Sequence, residues 1–151
     1  MTSVAQKAPQ TLTQWVTFKL DGETYGVNVM EVQEVLRVTD IAPVPGAPAY
    51  VLGIINLRGN VVSVIDTRRR FGLSTTENTD ATRIVIIESG GQTVGIRVDA
   101  VAEVLDVDSS EIETSPDVGN EEAARYISGM VSRGEELVIL IDVNKIITVE
   151  T

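Results

Sequence analysis

Apolar and polar residues alternate with a period of two through several short stretches of this chain, and the stretches come in two matched sets. Tyr25-Gly26-Val27-Asn28-Val29 lines up with Val94-Gly95-Ile96-Arg97-Val98, and both read as half-buried strands. Each is preceded by an apolar strand and a glycine-marked turn: Val16-Thr17-Phe18-Lys19-Leu20 before Asp21-Gly22, and Ile84-Val85-Ile86-Ile87 before Gly90-Gly91. Asp-Gly and Gly-Gly supply the positive φ that tight hairpins need. Further on, Val32-Gln33-Glu34-Val35-Leu36 matches Val101-Ala102-Glu103-Val104-Leu105. Tyr50-Val51-Leu52-Gly53-Ile54-Ile55 matches Tyr126-Ile127-Ser128-Gly129-Met130-Val131. Each half then reaches Arg-Gly (Arg58-Gly59 and Arg133-Gly134) and ends on a long apolar strand closed by Ile-Asp, at Asp66 and Asp142.

An internal repeat of this kind, 15–71 against 82–147, fixes the fold class before any single residue is weighed. Several short strands between turn signals, occurring twice, predict a mainly β protein. It would consist of two small five-stranded barrels with short helical segments. The Thr, Ser and Asn-rich stretch 72–81 reads as the connection between them. The expected division is therefore a flexible N-terminal tail over 1–13, a first barrel over 14–80 and a second over 81–151. A polar, carboxylate-rich stretch at 106–124 is expected to hold a loop with a short helical turn. Val32, Val35 and Leu36 fall at helical spacing, so 30–37 is read as an amphipathic turn with Glu31, Glu34 and Arg37 on its wet face. At Ile55-Asn56-Leu57-Arg58-Gly59-Asn60 an apolar strand turns and returns, with Arg58 on the corner. Arg58 there either anchors a partner or balances nearby carboxylates, and the residues alone leave both open.

Composition narrows the chemistry. The chain has 151 residues, 22 acidic against 12 basic, a net charge of −10, and neither Cys nor His. Disulfides, the usual zinc and copper sites, and Cys-His or Ser-His-Asp catalysis lose their ligands or nucleophile partners. The acidic balance opposes nucleic acid and anionic lipid surfaces. The exception, Arg68-Arg69-Arg70, reads as a solvated edge after a strand. Apolar runs are far shorter than the ~20 residues that span a bilayer, and a cytoplasmic location is expected. Phosphate-cradling glycine patterns are absent. Asp66 and Asp142, at the same place in each repeat, invite comparison with a shared-proton carboxylate dyad, but each lacks the adjoining glycine and is better read as a helix cap. An acid–base enzyme built on that pair is the competing class, and a generic SH3-like adaptor is a third reading. A binding module without cofactor or metal is the expectation.

Tyr25-Gly26, Val32-Gln33-Glu34-Val35, Ile41-Ala42-Pro43-Val44-Pro45 and Gly53-Ile54-Ile55-Asn56-Leu57-Arg58-Gly59 together resemble the signature of the CheW family of chemotaxis coupling proteins. Gly129-Met130 and the 137–142 strand are similar to that family's second-half pattern, so the likeness runs over 15–147. It implies two SH3-like five-stranded barrels with a third apolar core between them. It also implies a non-catalytic scaffold, monomeric in isolation, that links the cytoplasmic tips of chemoreceptors to the regulatory domain of the histidine kinase CheA in membrane-associated arrays. By matching motif, receptor contact falls on Val32, Glu34 and Arg58, with Val32 partly exposed. Kinase contact falls near Arg83, Ile84 and Val104.

Overall fold

The computed structural model describes residues 12–114 and 124–147. Among them run β1 (Leu12–Leu20), β2 (Glu23–Asn28), β3 (Val32–Arg37), β4 (Val51–Leu57), β5 (Asn60–Asp66), β6 (Arg83–Ser89), β7 (Gln92–Val98), β8 (Ala100–Asp108), β9 (Ile127–Arg133) and β10 (Glu136–Ile141). Two short helices, α1 (Thr67–Arg70) and α2 (Val143–Ile147), follow the last strand of each half. Single 3-10 turns occupy Val29–Glu31 and Ser109–Glu111.

The strands form two five-stranded sheets, ordered β8-β1-β2-β10-β9 and β3-β6-β7-β5-β4. Each closes on itself where the chain beyond an edge strand bridges the opposite edge. Ala42 pairs with Ile54 in one sheet and Glu113 with Met130 in the other. Closure removes the unpaired edges that would otherwise invite aggregation. Gly53 and Gly129 permit these bridges, because a Cβ at Gly53 would lie 2.2 Å from the Ala42 carbonyl oxygen and one at Gly129 would lie 3.0 Å from that of Glu113.

The barrels do not follow the halves of the sequence, and the expected division into 14–80 and 81–151 is corrected. The opening hairpins are exchanged: β1–β2 joins β8, β9 and β10, whereas β6–β7 joins β3, β4 and β5. The exchange is made by parallel pairs, β2 with β10 and β7 with β5. A parallel pair needs a long crossover, which here is the rest of the fold. The chain passes between sheets only twice, through Val29–Glu31 and through Asp99, which lies between β7 and β8.

Three further expectations change. Residues 12 and 13 belong to β1, where Leu12 pairs with Asp108 and Thr13 with Val107; the remainder of the expected tail lies outside the described residues. The 106–124 stretch begins as the end of β8 and holds the expected short helical turn at Ser109–Glu111, and its 115–123 portion is likewise outside them. The 30–37 segment is not an amphipathic helical turn. After one 3-10 turn it becomes β3, where Glu34 and Leu36 share the face of Ile86 and Ile84 inside the second sheet, while a bulge between Val32 and Glu34 turns Val32 to the shared core beside Ile87. Pairing with Ile84, Val85 and Ile86 of β6 overrides the local helical spacing.

Three apolar clusters hold the molecule together. Trp15, Val107, Val131, Val138 and Leu140 fill the first sheet, and Ile55, Val62, Val64, Ile84 and Ile86 fill the second. The largest lies between them and draws Phe18, Tyr25 and Val27 from one sheet, Ile65, Val85 and Ile96 from the other, and Phe71, Ile146 and Ile147 from around the helices. A file of rings, Phe18–Tyr25–Phe71–Tyr126 with centroids 5.4–5.8 Å apart, runs through this shared core.

Candidate functional site: a charged corner at the barrel seam

β3 and β4 are the two edges of the second sheet, and Glu34 and Arg58 meet across the gap. The Asn56–Asn60 sequence builds the corner. Arg58 and Gly59 both have positive φ, 52° and 87°, as a two-residue hairpin loop of the primed type requires. The Asn56 side-chain oxygen accepts the Gly59 N–H at 3.0 Å and braces the turn. Arg58 then reaches Glu34 as a fork, with Nη2 to Oε1 at 2.8 Å and Nη1 to Oε2 at 2.6 Å. The hydrogen bonds from Arg58, aided by its charge, hold the Glu34 carboxyl below the usual carboxylate range, and Glu34 raises Arg58 in return. The Arg58 side chain remains 69% exposed and that of Glu34 25%. Of the two readings left open for Arg58, the structure shows the balanced carboxylate, and the side chain still faces outward.

Val32 is opposite Ile87 across a bulge from Glu34, so it lies on the other face of β3, half-buried against the shared core. Beside the corner lies an open, mostly apolar hollow of about 320 Å³, lined by Asp40, Ile41, Ala42, Ile54, Ile55, Asn56 and Val61. Val61 is largely exposed, on the face of β5 that it shares with Ser63 and opposite Asn56.

The residues expected at a kinase contact are not brought together. Ile84 is fully buried inside the second sheet, so its expected surface role is corrected: β6 is a central strand and this side chain is core. Arg83 opens the same strand, opposite Arg37 and Val98, and gives its Nη1 to the carbonyls of Asp80 and Thr82. Val104 is on β8 of the other sheet, 53% exposed.

The paired aspartates are caps. Asp66 is buried, accepts the Arg68 N–H at 3.2 Å and faces Arg97 at 3.5 Å. Asp142 accepts the Asn144 N–H at 3.0 Å. Each is occupied with its own helix, as the cap reading expects. Among the described residues no group of His, Cys, Asp and Glu is arranged to hold a metal, and no helix is long and apolar enough to cross a membrane.

The arginine run is not a solvated edge. Arg68 forks onto Asp99 at 3.0 and 2.7 Å, gives Nη1 to the Ser74 carbonyl at 2.9 Å and lies 3.7 Å from Asp21. The Asp21 N–H donates to Asp99 as well, at 2.9 Å. This clamp sits on one of the two passages between sheets and ties α1 to the β1–β2 turn. The Arg70 guanidinium lies over the rings of Tyr50 and Tyr126, equivalent residues of the repeat, at 4.1 and 5.1 Å from their centres.

Residues 14–151 match the family model described as CheW-like domain. The chain is 37% identical over 137 residues to chemotaxis protein CheW of Treponema pallidum, covering 88% of this chain and 81% of that protein. To chemotaxis protein CheW of Bacillus subtilis it is 35% identical over 136 residues, 90% of this chain and 87% of the relative. The crystal structure of scaffolding protein TtCheW from Thermoanaerobacter tengcongensis superposes with a TM-score of 0.80 at 36% identity, over 85% of this chain and 88% of that one.

Proposed function

The chain belongs to the CheW-like family and is a non-catalytic chemotaxis scaffold, and from that premise we propose that it couples chemoreceptor tips to the regulatory domain of the kinase CheA. The observation that carries the reading is the Glu34–Arg58 fork, a charged pair fixed on a rigid turn at the seam of a barrel. A planar guanidinium held this way pre-pays the ordering cost of a contact. The receptor side would be an amphipathic helix that lays apolar positions against Val32 and its surroundings, with Glu34 and Arg58 setting register. The kinase side would use the exposed strand β8 around Val104, with Arg83 at the other sheet; Ile84 drops out because it is core. Both contacts would be made in the cytoplasm, in arrays recruited to membrane-bound receptors, where many weak contacts add up.

Calorimetric titration tests this directly. Saturable one-to-one binding of the wild-type chain to the CheA regulatory domain is expected in the micromolar range. The Arg58→Ala variant should bind a receptor-tip hairpin about tenfold or more weakly and the kinase domain unchanged. No heat and no co-elution with the kinase domain at tens of micromolar, roughly where a signalling contact registers, would sink the coupling role.

A further inference from the structure

Arg37 and Arg83 face each other across the β3–β6 ladder. Cross-strand partners bring their Cβ atoms to about 5 Å, so like charges placed directly opposite destabilise a sheet. The chain holds 22 acidic and 12 basic residues, yet neither arginine has a carboxylate oxygen within 4 Å among the described residues. The preceding rungs of the same ladder are apolar, Leu36 with Ile84 and Val35 with Val85. A local rule broken without compensation among the described residues points to a use outside the molecule.

The two side chains are held differently. Arg83 is half-buried and gives Nη1 to the carbonyls of Asp80 and Thr82, both at 2.8 Å. Those bonds fix the plane of its guanidinium and leave Nε and Nη2 without an acceptor among the described residues. Neither atom is sealed from solvent as Arg70 Nε is. Arg37 is exposed and engages no side chain among those residues, so its long stem can bring a second fork to whatever Arg83 holds. Val35 stands two residues before Arg37 on the same face, 40% exposed. The patch thus has one fixed donor edge, one adjustable edge and a dry flank, the mixture of arginine and apolar surface that interfaces favour.

We propose that Arg37 and Arg83 together receive a carboxylate from an acidic segment of the kinase regulatory domain, and so select a kinase that carries an acidic side chain at that point. The partner rests on the coupling reading above, which puts Arg83 on the kinase side. Arg37, and the charge that both arginines require of the partner, go beyond that reading. The pair closes β3, whereas Val32 opens it, so receptor and kinase meet this strand at opposite ends. One carboxylate between two guanidiniums removes the repulsion that the free chain carries. Binding and free-state stability therefore pull in opposite directions at Arg37, which a structural arginine would not show.

The test titrates the whole chain with the kinase regulatory domain and, separately, with a receptor-tip hairpin. Arg37→Ala should weaken kinase binding by about tenfold, the loss of one charge-assisted contact, and flatten its salt dependence. Arg37→Glu sets a carboxylate of the chain's own opposite Arg83, so it should weaken kinase binding further. Its thermal midpoint should nonetheless equal or exceed that of wild type, since a repulsive cross-strand pair becomes an attractive one. Hairpin binding should stay within about twofold of wild type for both variants. If kinase binding by both variants stays within about twofold of wild type with unchanged salt dependence, the Arg37–Arg83 site is overturned and the coupling reading stands. Losses that fall on the hairpin and spare the kinase domain overturn it too, because the patch would then belong to the receptor. Midpoints well below wild type for both variants would trace the weaker binding to the fold and likewise remove the site. If the wild-type chain binds no kinase regulatory domain at all, the coupling reading fails and this site fails with it.

Discussion

The same Arg-Gly dipeptide ends β4 in one half and β9 in the other, and the two arginines are put to different use. Arg58 is the first left-handed residue of its turn, stands clear of the sheet and meets the edge strand β3 only through Glu34. Arg133 is still strand; the left-handed residue there is Gly134. That one-residue offset lays Arg133 along its barrel, where Nη2 reaches the Asp106 carbonyl and, at 3.3 Å, Glu111. Its side chain is 34% exposed against 69% for Arg58. Both arginines staple the two edges of a barrel, but only one keeps its outer face free. A repeat sets the position of a residue; the turn register decides whether it faces a neighbour or a partner.

The comparison is broken most severely at the glycines that let each barrel close. A Cβ at Gly53 would lie 2.2 Å from the Ala42 carbonyl oxygen, and φ there is +151°, a conformation L side chains rarely adopt. At Gly129 the contacts are longer, 2.7 Å to Ile112 Cγ2 and 3.0 Å to the Glu113 oxygen, and φ is not in the positive region. Gly53→Ala should cost about 3 kcal/mol or more and Gly129→Ala about 1–2 kcal/mol in chemical denaturation. Equal losses would mean that the two closures are as alike in energy as in sequence.

The Arg68 clamp belongs to the first half alone, since the second half carries Asn144 at the equivalent place. Arg68→Ala leaves Asp99, partly buried, without its cation and should cost about 2 kcal/mol at pH 7. Burial alone would raise the Asp99 carboxyl. The Arg68 fork, the Asp21 N–H and the nearby guanidinium charges outweigh that and hold it below the ordinary carboxylate range. A folded value below the unfolded one stabilises fully above the unfolded value of ~3.9, and the contribution is lost as pH falls through the folded value. The stability gap between wild type and Asp99→Asn should therefore be flat from about pH 5 to 8 and shrink below about pH 4. A gap that instead grows in acid would remove Asp99 from this role.

What could be read from the chain follows the same line between position and orientation. The strands, hairpins and helix-capping aspartates were legible because each depends on neighbours in sequence: the Asp21-Gly22 turn, the Arg58-Gly59 turn, the Asp66 cap. The exchange of β1–β2 with β6–β7 was not, because a period-two strand reads the same whichever sheet it joins. Ile84 was expected at a contact by resemblance alone, and the topology puts its side chain in the interior of the second sheet. The 32–36 segment was misread because its apolar spacing fits a helix locally, while β6 supplies the ladder that makes it a strand. Arg68 and Arg70 looked solvated because their partners, Asp99 and Tyr126, lie 31 and 56 residues further along the chain.

The smallest expected effect is the one that separates a docking corner from a structural one. An exposed ion pair adds little to stability, since it trades solvation and side-chain freedom for a screened attraction. Arg58→Ala should accordingly leave the melting temperature within about 2 °C of wild type. Arg133 has its Nε sealed from solvent and a backbone carbonyl as a partner, so Arg133→Ala should lower the midpoint by about 3–5 °C. Raising salt to about 0.5 M should screen the Arg58 pair and leave the Arg133-to-carbonyl bond largely in place. A midpoint for Arg58→Ala as low as that for Arg133→Ala would make Arg58 part of the scaffold first, and any loss of receptor binding by that variant would then report on the fold rather than on a contact.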